Sequence, residues 1–284
     1  MLPPLPVYLD ARAAFAASYL SGEGIEIGAL HQPLAVPPQA HVRYVDRMTS
    51  PDLRREYPEL AGWDLTEVDI VDDGEKLTTI AADSQDFIIA NHFLEHTEDP
   101  VGTIETHLTK LKPGGVLFYA VPDKRFTFDF RREPTPIEHM IADHEEGPER
   151  SRAQHYREWS RFVWEPVEGQ GTETDEAKIE EGAQYLEGQK YSIHMHVWTQ
   201  AEFLRLILAI RDRAEGGFDL DAAARVGIEF LVVLRKAGPL PAPTAAAVAE
   251  HGAREPRIRE EARTVSTRAI AAARERLTRR RTKP

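Results

Sequence analysis

Short runs of β-branched and apolar residues alternate with helical segments along the first 125 residues, and this alternation limits the fold more than any other feature. The runs are GIEIGAL, HVRYVD at 41–46, VDIVDD at 68–73, DFIIANHFLEH and VLFYAVPD. Strands that alternate with helices or crossovers form a parallel sheet that binds ligands at the carboxyl ends of its strands. The sequence therefore predicts a mostly parallel α/β sheet.

Three segments with apolar residues at helical spacing accompany these strands, at residues 8–20, 99–111 and 199–214. Asp99 and Pro100 stand where a helix takes its capping residue and its first residue. The sequence KPGG at 112–115 predicts a turn at the end of that helix. Two final strands, FDLDAAARV and IEFLVVLRK, follow one another directly and predict a C-terminal antiparallel hairpin at the edge of the sheet.

The alternation stops after residue 123, where the chain becomes rich in charged residues, histidine and aromatic residues. We interpret this stretch as a helical cap inserted over the site. Prolines at 239, 241 and 243 mark the end of the folded region. The predicted organisation is a sheet domain at 1–123, a substrate-binding cap at 124–192, the completion of the sheet at 193–238, and a helical or flexible basic tail at 239–284.

The formal charge of −12 is unevenly distributed along the chain. Residues 241–284 contain 11 Lys and Arg against 5 Asp and Glu, a net charge of +6, which leaves −18 on residues 1–240. An acidic body repels a phosphate backbone, so we predict no nucleic-acid partner. We interpret the basic tail as a solvated helical extension.

The absence of cysteine excludes disulfides, thiolate metal sites and cysteine nucleophiles, and it suits a reducing cytoplasm. The first residues lack the basic start and apolar centre of a signal peptide. No apolar run reaches the ~18 residues that span a bilayer. We therefore expect a cytoplasmic protein without a membrane segment.

An ordered series of motifs extends over about 100 residues: EIGAL, a strand that ends at Asp46, DDGEKL, NHFLEH, LKPGG and VPD. This series resembles that of the class I S-adenosylmethionine-dependent methyltransferases. The resemblance implies a Rossmann-like cofactor domain with S-adenosylmethionine as methyl donor and S-adenosylhomocysteine as product. Leu30 departs from the family pattern, because many members have a second glycine there. That loop disfavours a dinucleotide, whose pyrophosphate needs close backbone approach and a helix N-terminus.

The resemblance assigns eight residues to the cofactor. Gly28 lets the backbone approach the methionine moiety, and Glu26 orients that turn or the ammonium group of the cofactor. Asp46 matches the carboxylate that accepts both ribose hydroxyls. Either Asp72 or Asp73 falls where an acidic side chain meets the adenine amino group. Asn91 and His92 are expected at the methionine end of the cofactor, and Ala29 completes the cofactor-binding set.

Methyl transfer to oxygen is an in-line displacement at the sulfonium methyl group, and a hydroxyl nucleophile needs a base as the new bond forms. Histidine, with an ordinary pKa of ~6.5, is suited to this role. We predict His144 as the base because Asp143 stands beside it, with His194 as the alternative. Residues predicted to bind the substrate are Asp123, Arg125, His139 and His196.

A closer resemblance runs from VPDKRFTFD through EHMIADH to HMHVWT. These segments resemble methyltransferases of glycan and natural-product pathways, among them the sugar 1-O-methyltransferases of methylmannose polysaccharide biosynthesis. The resemblance implies transfer to a sugar hydroxyl, such as the 1-OH of an O-methylated mannoside. Some sugar methyltransferases use Mg²⁺, but Mg²⁺ prefers carboxylates and water to imidazole. We therefore assign no metal ligand and leave a need for Mg²⁺ open.

Two alternatives stay open: an O-methyltransferase of small natural products, and a catalytically inactive scaffold with the same fold. A transferase that acts on nitrogen or carbon is disfavoured, because NHFLEH does not match the Asn/Asp-Pro-Pro-Tyr/Phe motif typical of amide- and base-methylating enzymes. The expected partner is a small-molecule or oligosaccharide acceptor. The oligomeric state is left open, with a homodimer among the options.

Overall fold

A seven-stranded sheet runs through the computed structural model, which describes residues 7–164, 172–214 and 217–238. Its order is β3-β2-β1-β4-β5-β7-β6. Neighbouring strands are parallel from β3 to β5, whereas β7 is antiparallel to both β5 and β6. This arrangement confirms the predicted α/β sheet with an antiparallel hairpin at its edge. The strands are β1 (Gly22–Ile27), β2 (Ala40–Asp46), β3 (Ile70–Val71), β4 (Gln85–Asn91), β5 (Leu111–Pro122), β6 (Phe218–Val226) and β7 (Glu229–Lys236).

Seven α-helices are found among the described residues. They are α1 (Val7–Tyr19), α2 (Ser50–Glu56), α3 (Pro100–Lys110), α4 (Ile137–Glu146), α5 (Glu149–Trp159), α6 (Glu176–Gly188) and α7 (Gln200–Arg213). Helix α3 begins as predicted, because Pro100 is its first residue and the Asp99 carboxylate accepts a hydrogen bond of 2.8 Å from Gly102 N–H. None of the described helices is both long enough and apolar enough to cross a lipid bilayer.

Three local features differ from the sequence prediction. The predicted third strand covers six residues, but β3 contains only Ile70 and Val71. The sequence KPGG at 112–115 belongs to the start of β5 rather than to a turn, and Gly114 has a φ of +82° within it. Helix α2 was not predicted, since Leu53 is its only buried large apolar residue.

The central pair β1 and β4 positions the site. From β1 the chain proceeds to β2 on one side, and from β4 it proceeds to β5 on the other, so the connections diverge above this pair. In open α/β sheets a crevice for ligands forms at that point, outside the carboxyl ends of the strands. Residues 28–39, which follow β1, contain no helix. The loop after β1 therefore offers no helix N-terminus to a dinucleotide pyrophosphate.

The sheet is covered on both faces. Phe87 and Ile89 of β4 point toward α1, whereas Ile88 and Ala90 point toward α3 and α7, as the two-residue period of a strand requires. Both faces are buried, which accounts for the nearly continuous apolar sequence of β4 and β5.

The cap has a small core of its own. Its buried apolar residues come from α5, the π-helical turn that follows it, α6 and the segment before α7. They are Tyr156, Trp159, Val163, Ala183, Leu186, Ile193 and Met195. Tyr156 and Trp159 therefore serve mainly as packing residues of the cap.

The described residues belong to one compact unit, which extends to residue 238. The predicted basic tail at 239–284 lies outside the described residues. The predicted boundaries at 123 and 192 remain predictions.

Candidate functional site

A cavity of about 790 Å³ lies at the carboxyl ends of β1 to β4. We call it the large cavity. Its walls come from the loops after these four strands and from one residue of the cap segment. The lining residues are Ile27, Gly28, Leu30, Asp46, Arg47, Tyr57, Val71, Asp72, Asp73, Gly74, Glu75, His92, Phe93, His96 and Ser192.

A second cavity of about 320 Å³, the small cavity, adjoins the first and shares Gly28, Leu30 and His92 with it. Its other lining residues are Arg12, Glu26, Ala29, His31, Gln32, Asn91 and Ile228. All eight residues predicted to bind the cofactor line one or both of these cavities. The structure therefore brings the whole predicted set together.

Two backbone positions shape the junction of these cavities. Gly28 has a φ of +67°, its N–H donates to the Val45 carbonyl oxygen at 2.9 Å, and no atom lies within 4 Å of the place where a Cβ would be. His92 also has a positive φ, +50°, and its Nε2 lies 2.7 Å from Glu229 Oε2. Backbone of this kind in a residue other than glycine costs energy and is held by its surroundings.

Glu26 is buried at the end of β1, and both of its carboxylate oxygens accept a hydrogen bond of 3.0 Å from the Leu34 N–H. Burial raises the pKa of Glu26 to about 7, against the opposing effects of the Leu34 hydrogen bond, the Arg12 charge and the Asn91 side chain. Asn91 donates to Glu26 at 3.5 Å, while its buried Oδ1 has no partner among the described residues. The small cavity thus offers two oxygen acceptors.

The two candidate aspartates after β3 have different environments. Asp72 accepts hydrogen bonds of 2.7–2.9 Å from the Thr78 hydroxyl, the Thr79 hydroxyl and N–H, and the Asp73 N–H. Burial would raise the pKa of Asp72, but these hydrogen bonds outweigh it and lower the pKa to about 2. Asp73 receives one such bond, of 2.9 Å, from Glu75 N–H. Asp72 therefore organises the turn, and Asp73 keeps acceptor capacity for a ligand.

Asp46 ends β2 with its carboxylate at the large cavity. Its Oδ1 accepts a hydrogen bond of 2.7 Å from Arg47 N–H, and burial raises its pKa. Arg47 extends over the same cavity, where its guanidinium donates to Glu56 at 3.0 Å and to the Tyr57 hydroxyl at 3.3 Å. Asp46 and Arg47 thus present an acceptor and a fixed cation to one wall.

A third cavity, of about 610 Å³, lies against the cap and is called the cap cavity. It shares Arg47, Glu75, His96 and Ser192 with the large cavity. Ten of its twelve lining residues have polar side chains. The other eight lining residues are Glu98, Arg152, Tyr156, Glu187, Lys190, Tyr191, Ile193 and Met195.

His96 is the histidine that borders both the large cavity and the cap cavity. Its Nδ1 lies 3.0 Å from the Ile193 carbonyl oxygen and 3.1 Å from the Ser192 hydroxyl. Because a carbonyl oxygen only accepts, Nδ1 carries the proton and Nε2 carries the lone pair. Burial lowers the pKa of His96 to about 4, against the opposing charge of Glu95. At neutral pH this imidazole is therefore uncharged, and its Nε2 is an acceptor.

Glu95 and His194 surround His96. The carboxylate of Glu95 is buried, and neither of its oxygens has a hydrogen-bond donor among the described residues. The His194 ring meets the His96 ring edge-on at 4.7 Å between centroids, and its Nδ1 lies 2.6 Å from Asp129 Oδ2. The three side chains offer ligand atoms within 4.8 Å of one another, but two of them are imidazoles, which Mg²⁺ disfavours.

The predicted base His144 does not reach these cavities. Its Nδ1 lies 2.9 Å from Asp99 Oδ2 and its Nε2 lies 3.5 Å from Glu105, both at α3. The next residue, Glu145, pairs with Arg213 at the end of α7 farther from the cavities. The structure thus places His144 beside α3, because α4 packs there rather than over the carboxyl edge of the sheet. His194, the alternative, is buried behind His96.

The predicted substrate ligands also lie elsewhere. Asp123 is fully buried, and its carboxylate accepts hydrogen bonds from Arg125 N–H and from the Arg125 guanidinium at 2.6–3.1 Å. This pair forms a salt-bridged turn outside the three cavities. His139 and His196 belong to a separate buried cluster with His155.

Several lining residues were not predicted from the sequence. Among the charged or titratable ones are His96, Arg47, Glu75 and Arg152. A signal for His96 exists in NHFLEH, where it follows His92 by four residues in the loop after β4. Arg152 has no such signal, because it comes from α5 of the cap.

Comparisons with known proteins place the chain in a family. A family model described as a methyltransferase domain matches residues 11–210. No curated protein matches the sequence. Among solved structures, an S-adenosylmethionine-dependent methyltransferase from Aquifex aeolicus is 12% identical, with 78% of this chain and 86% of that one covered and a TM-score of 0.41. An O-methyltransferase family protein from Burkholderia thailandensis is 13% identical, with 81% and 55% covered and a TM-score of 0.44.

The match to the family model extends over most of the chain, from α1 through α7. It contains the five parallel strands, the cap and the loops that form the large cavity. The chain therefore belongs to the methyltransferase-domain family, which confirms the predicted Rossmann-like fold, the predicted methyltransferase activity and the predicted cofactor, S-adenosylmethionine.

Proposed function

We propose that this protein is an O-methyltransferase that transfers the methyl group of S-adenosylmethionine to a hydroxyl of a sugar or oligosaccharide. One observation carries the proposal. A neutral histidine, His96, lies where the large cavity meets the cap cavity, whose lining is polar. A hydroxylated acceptor in the cap cavity would therefore meet a base at the opening to the cofactor.

The cofactor is proposed to occupy the large and small cavities together. Asp46 would accept the ribose hydroxyls, and Asp73 rather than Asp72 would accept the adenine amino group. Glu26 and Asn91 Oδ1 would accept the ammonium group in the small cavity. Gly28 supports this placement, because the absence of a Cβ leaves room where the two cavities meet.

The polar lining of the cap cavity supports a polyhydroxylated acceptor. Arg152 donates to both carboxylate oxygens of Glu98 at 2.6 and 2.7 Å, so one wall has a fixed pattern of charge. Lys190 and Glu187 add a further cation and anion on the cap side. Side chains that already hold one another in place lose little further conformational entropy when they bind hydroxyl groups.

In the proposed reaction the acceptor oxygen attacks the methyl carbon as the bond from that carbon to sulfur breaks. The proton of the hydroxyl passes to Nε2 of His96, and S-adenosylhomocysteine leaves as a neutral thioether. Ile193 holds the ring through Nδ1, and the Glu95 carboxylate stabilises the imidazolium that forms. Such a positioned base contributes about 10²–10⁴ in rate.

The choice of a specific acceptor is based on the resemblance of the sequence to sugar methyltransferases. We propose the 1-OH of an O-methylated mannoside as the first acceptor to test, which would connect the protein to polysaccharide biosynthesis in the cytoplasm. Small phenolic natural products are the second class. The proposed acceptor cavity and the proposed base both favour an active enzyme over the inactive scaffold.

The test is a screen for methyl transfer from labelled S-adenosylmethionine to mannosides, glucosides and phenols. We expect transfer to one sugar class, with the label stable to alkali: in an acid-labile methyl glycoside if the 1-OH is the acceptor, or in an ether if another hydroxyl is. Transfer to phenols alone would contradict the sugar acceptor but keep the methyltransferase. Binding of S-adenosylhomocysteine without transfer to any acceptor would support the scaffold instead.

A further inference from the structure

Four side chains outside the proposed active site converge inside the cap. His139 and Asp143 are one turn apart on α4, His155 belongs to α5, and His196 belongs to the segment before α7. Asp143 and His196 are fully buried, and His155 is 6% exposed. Each of the four offers one ligand atom, and these atoms all lie within 4.8 Å of one another.

The carboxylate of Asp143 lacks the partners that burial normally requires. Neither of its oxygens has a partner in good hydrogen-bond geometry among the described residues, although His139 Nε2 lies 3.0 Å from Oδ2. The Ser151 hydroxyl donates to the Pro148 carbonyl oxygen at 3.0 Å and also interacts with Asp143, where it opposes the rise in the pKa of this carboxylate that burial causes. A buried carboxylate without donors is costly unless a cation compensates its charge.

Three imidazoles surround this carboxylate. The distances from Asp143 Oδ2 to the Nε2 atoms are 3.0 Å for His139, 3.8 Å for His155 and 4.0 Å for His196. His139 Nε2 and His155 Nε2 lie 3.1 Å apart. A tetrahedral ion with bonds of about 2.0–2.1 Å separates its ligand atoms by roughly 3.3 Å, which lies within this range.

The orientation of the rings is compatible with ligation, because none of the three pairs is stacked face to face. The three pairs of rings meet at 75–90°, with centroids 4.8–5.8 Å apart. The Met195 carbonyl oxygen accepts a hydrogen bond from the His155 ring, which leaves the lone pair on its other nitrogen. His196 Nε2 lies 3.3 Å from the Glu98 carbonyl oxygen, which can only accept, so the proton is on Nε2. The lone pair is on the buried Nδ1, which has no partner in the described part of the chain and is the ligand atom of this ring.

The charge of Arg132 reaches this cluster, where it disfavours protonation of His155 and His196, but it is balanced by partners of its own. Its guanidinium pairs with Asp129 and with Glu158, both at 2.9 Å, and also donates to the carbonyl oxygens of His194 and Met195. That cation is therefore compensated by its own partners.

We propose that His139, Asp143, His155 and His196 bind a structural zinc ion. Three imidazole nitrogens and one carboxylate oxygen form a ligand set that suits Zn²⁺ and not Mg²⁺. The ion would join α4 and α5 to the segment that carries Ile193, and so would fix the part of the cap that holds His96. The site stands on its own geometry and does not depend on the proposed acceptor.

The experiment measures zinc in the full chain, purified without a polyhistidine tag from zinc-supplemented cells and dialysed. We expect about one zinc ion per chain in the wild type and in the control His144→Gln, which removes a histidine of α4 outside the cluster. In the double variant His155→Gln/His196→Gln zinc should fall to background. Wild-type zinc at background, or zinc retained by the double variant, would overturn the proposal.

A second measurement serves if the double variant does not fold. The wild-type chain is stripped with a chelator and titrated with Co²⁺ in place of zinc. Saturation at one equivalent with the strong visible absorption of tetrahedral Co²⁺ is the expected result. No such absorption would mean that the cluster is a histidine–aspartate ion pair only.

Discussion

The His96 ring donates a hydrogen bond of 3.0 Å to the backbone carbonyl oxygen of Ile193, 97 residues away in the sequence. His96 belongs to the loop after β4, whereas Ile193 is part of the cap core. This bond therefore joins the sheet to the cap at the border of the large cavity and the cap cavity. The orientation of the proposed base depends on the position of the cap.

Replacement of His96 tests its role as the base. His96→Gln should reduce kcat by about 10²–10⁴, because proton removal would lose its acceptor. The affinity for S-adenosylhomocysteine, measured by calorimetry, should change little, because the ring serves the acceptor side. His144→Gln is the matched control and should keep near-normal turnover. A severe loss in His144→Gln with near-normal turnover in His96→Gln would restore the original prediction.

Replacement of the ribose acceptor tests the placement of the cofactor. Asp46→Ala should remove hydrogen bonds to a charged group, each of which contributes about 1.5–3 kcal/mol. We therefore expect the Kd of S-adenosylhomocysteine to rise by at least about tenfold. An unchanged Kd in a folded variant would exclude Asp46 from the site.

Substitutions of the two aspartates after β3 should have different effects, one on cofactor binding and the other on the stability of the fold. Asp73→Ala should weaken the binding of S-adenosylhomocysteine and leave the melting temperature nearly unchanged. Asp72→Ala should instead lower the free energy of unfolding by about 1–3 kcal/mol, because the donors of Thr78 and Thr79 lose their acceptor. Calorimetry and thermal melting distinguish the two, and the reverse pattern would assign the adenine contact to Asp72.

Gly74 tests the packing of the wall of the large cavity. A Cβ at this position would lie 2.7 Å from Ile27 Cγ2 and 2.7 Å from Phe93 Cζ. Gly74→Ala should therefore destabilise the protein by about 1–3 kcal/mol and weaken cofactor binding, because Phe93 must move. The control Gly62→Ala, where no atom lies within 4 Å, should change stability by less than about 0.5 kcal/mol. Equal melting temperatures for the two variants would contradict this account.

The pH dependence of cofactor binding tests Glu26. Burial raises the pKa of Glu26 to about 7, so the carboxyl is protonated below that pH and charged above it. The charged form attracts the ammonium group of the cofactor. Affinity for S-adenosylhomocysteine should therefore increase as the pH rises from 6 to 8, and most of this increase should be absent in Glu26→Gln. A pH dependence that is identical in the variant would show that another group, such as Glu75, causes it.

The cofactor side of the site could be predicted from the sequence for a topological reason. Glu26, Asp46 and Asn91 each stand at the end of a short apolar run, and parallel strands bring such ends to one edge of the sheet. The choice between Asp72 and Asp73 could not be predicted. It depends on hydrogen bonds from Thr78 and Thr79, which form only when the turn closes.

The catalytic side could not be predicted, because the cap has no repeating pattern that fixes where its helices pack. His144 and His139 are close in the sequence, but one contacts α3 and the other faces His155 of α5. The sequence could show that the cap is rich in histidine. It could not show which histidine faces the sheet, and the one at the cavity border, His96, precedes the cap.

A crystal structure of the complex with S-adenosylhomocysteine tests the central claim most directly. The account predicts adenosine between Asp46 and Asp73, the amino group beside Glu26, and the sulfur facing the opening at His96. A ligand bound outside the large and small cavities, or a sulfur directed away from His96, would contradict it.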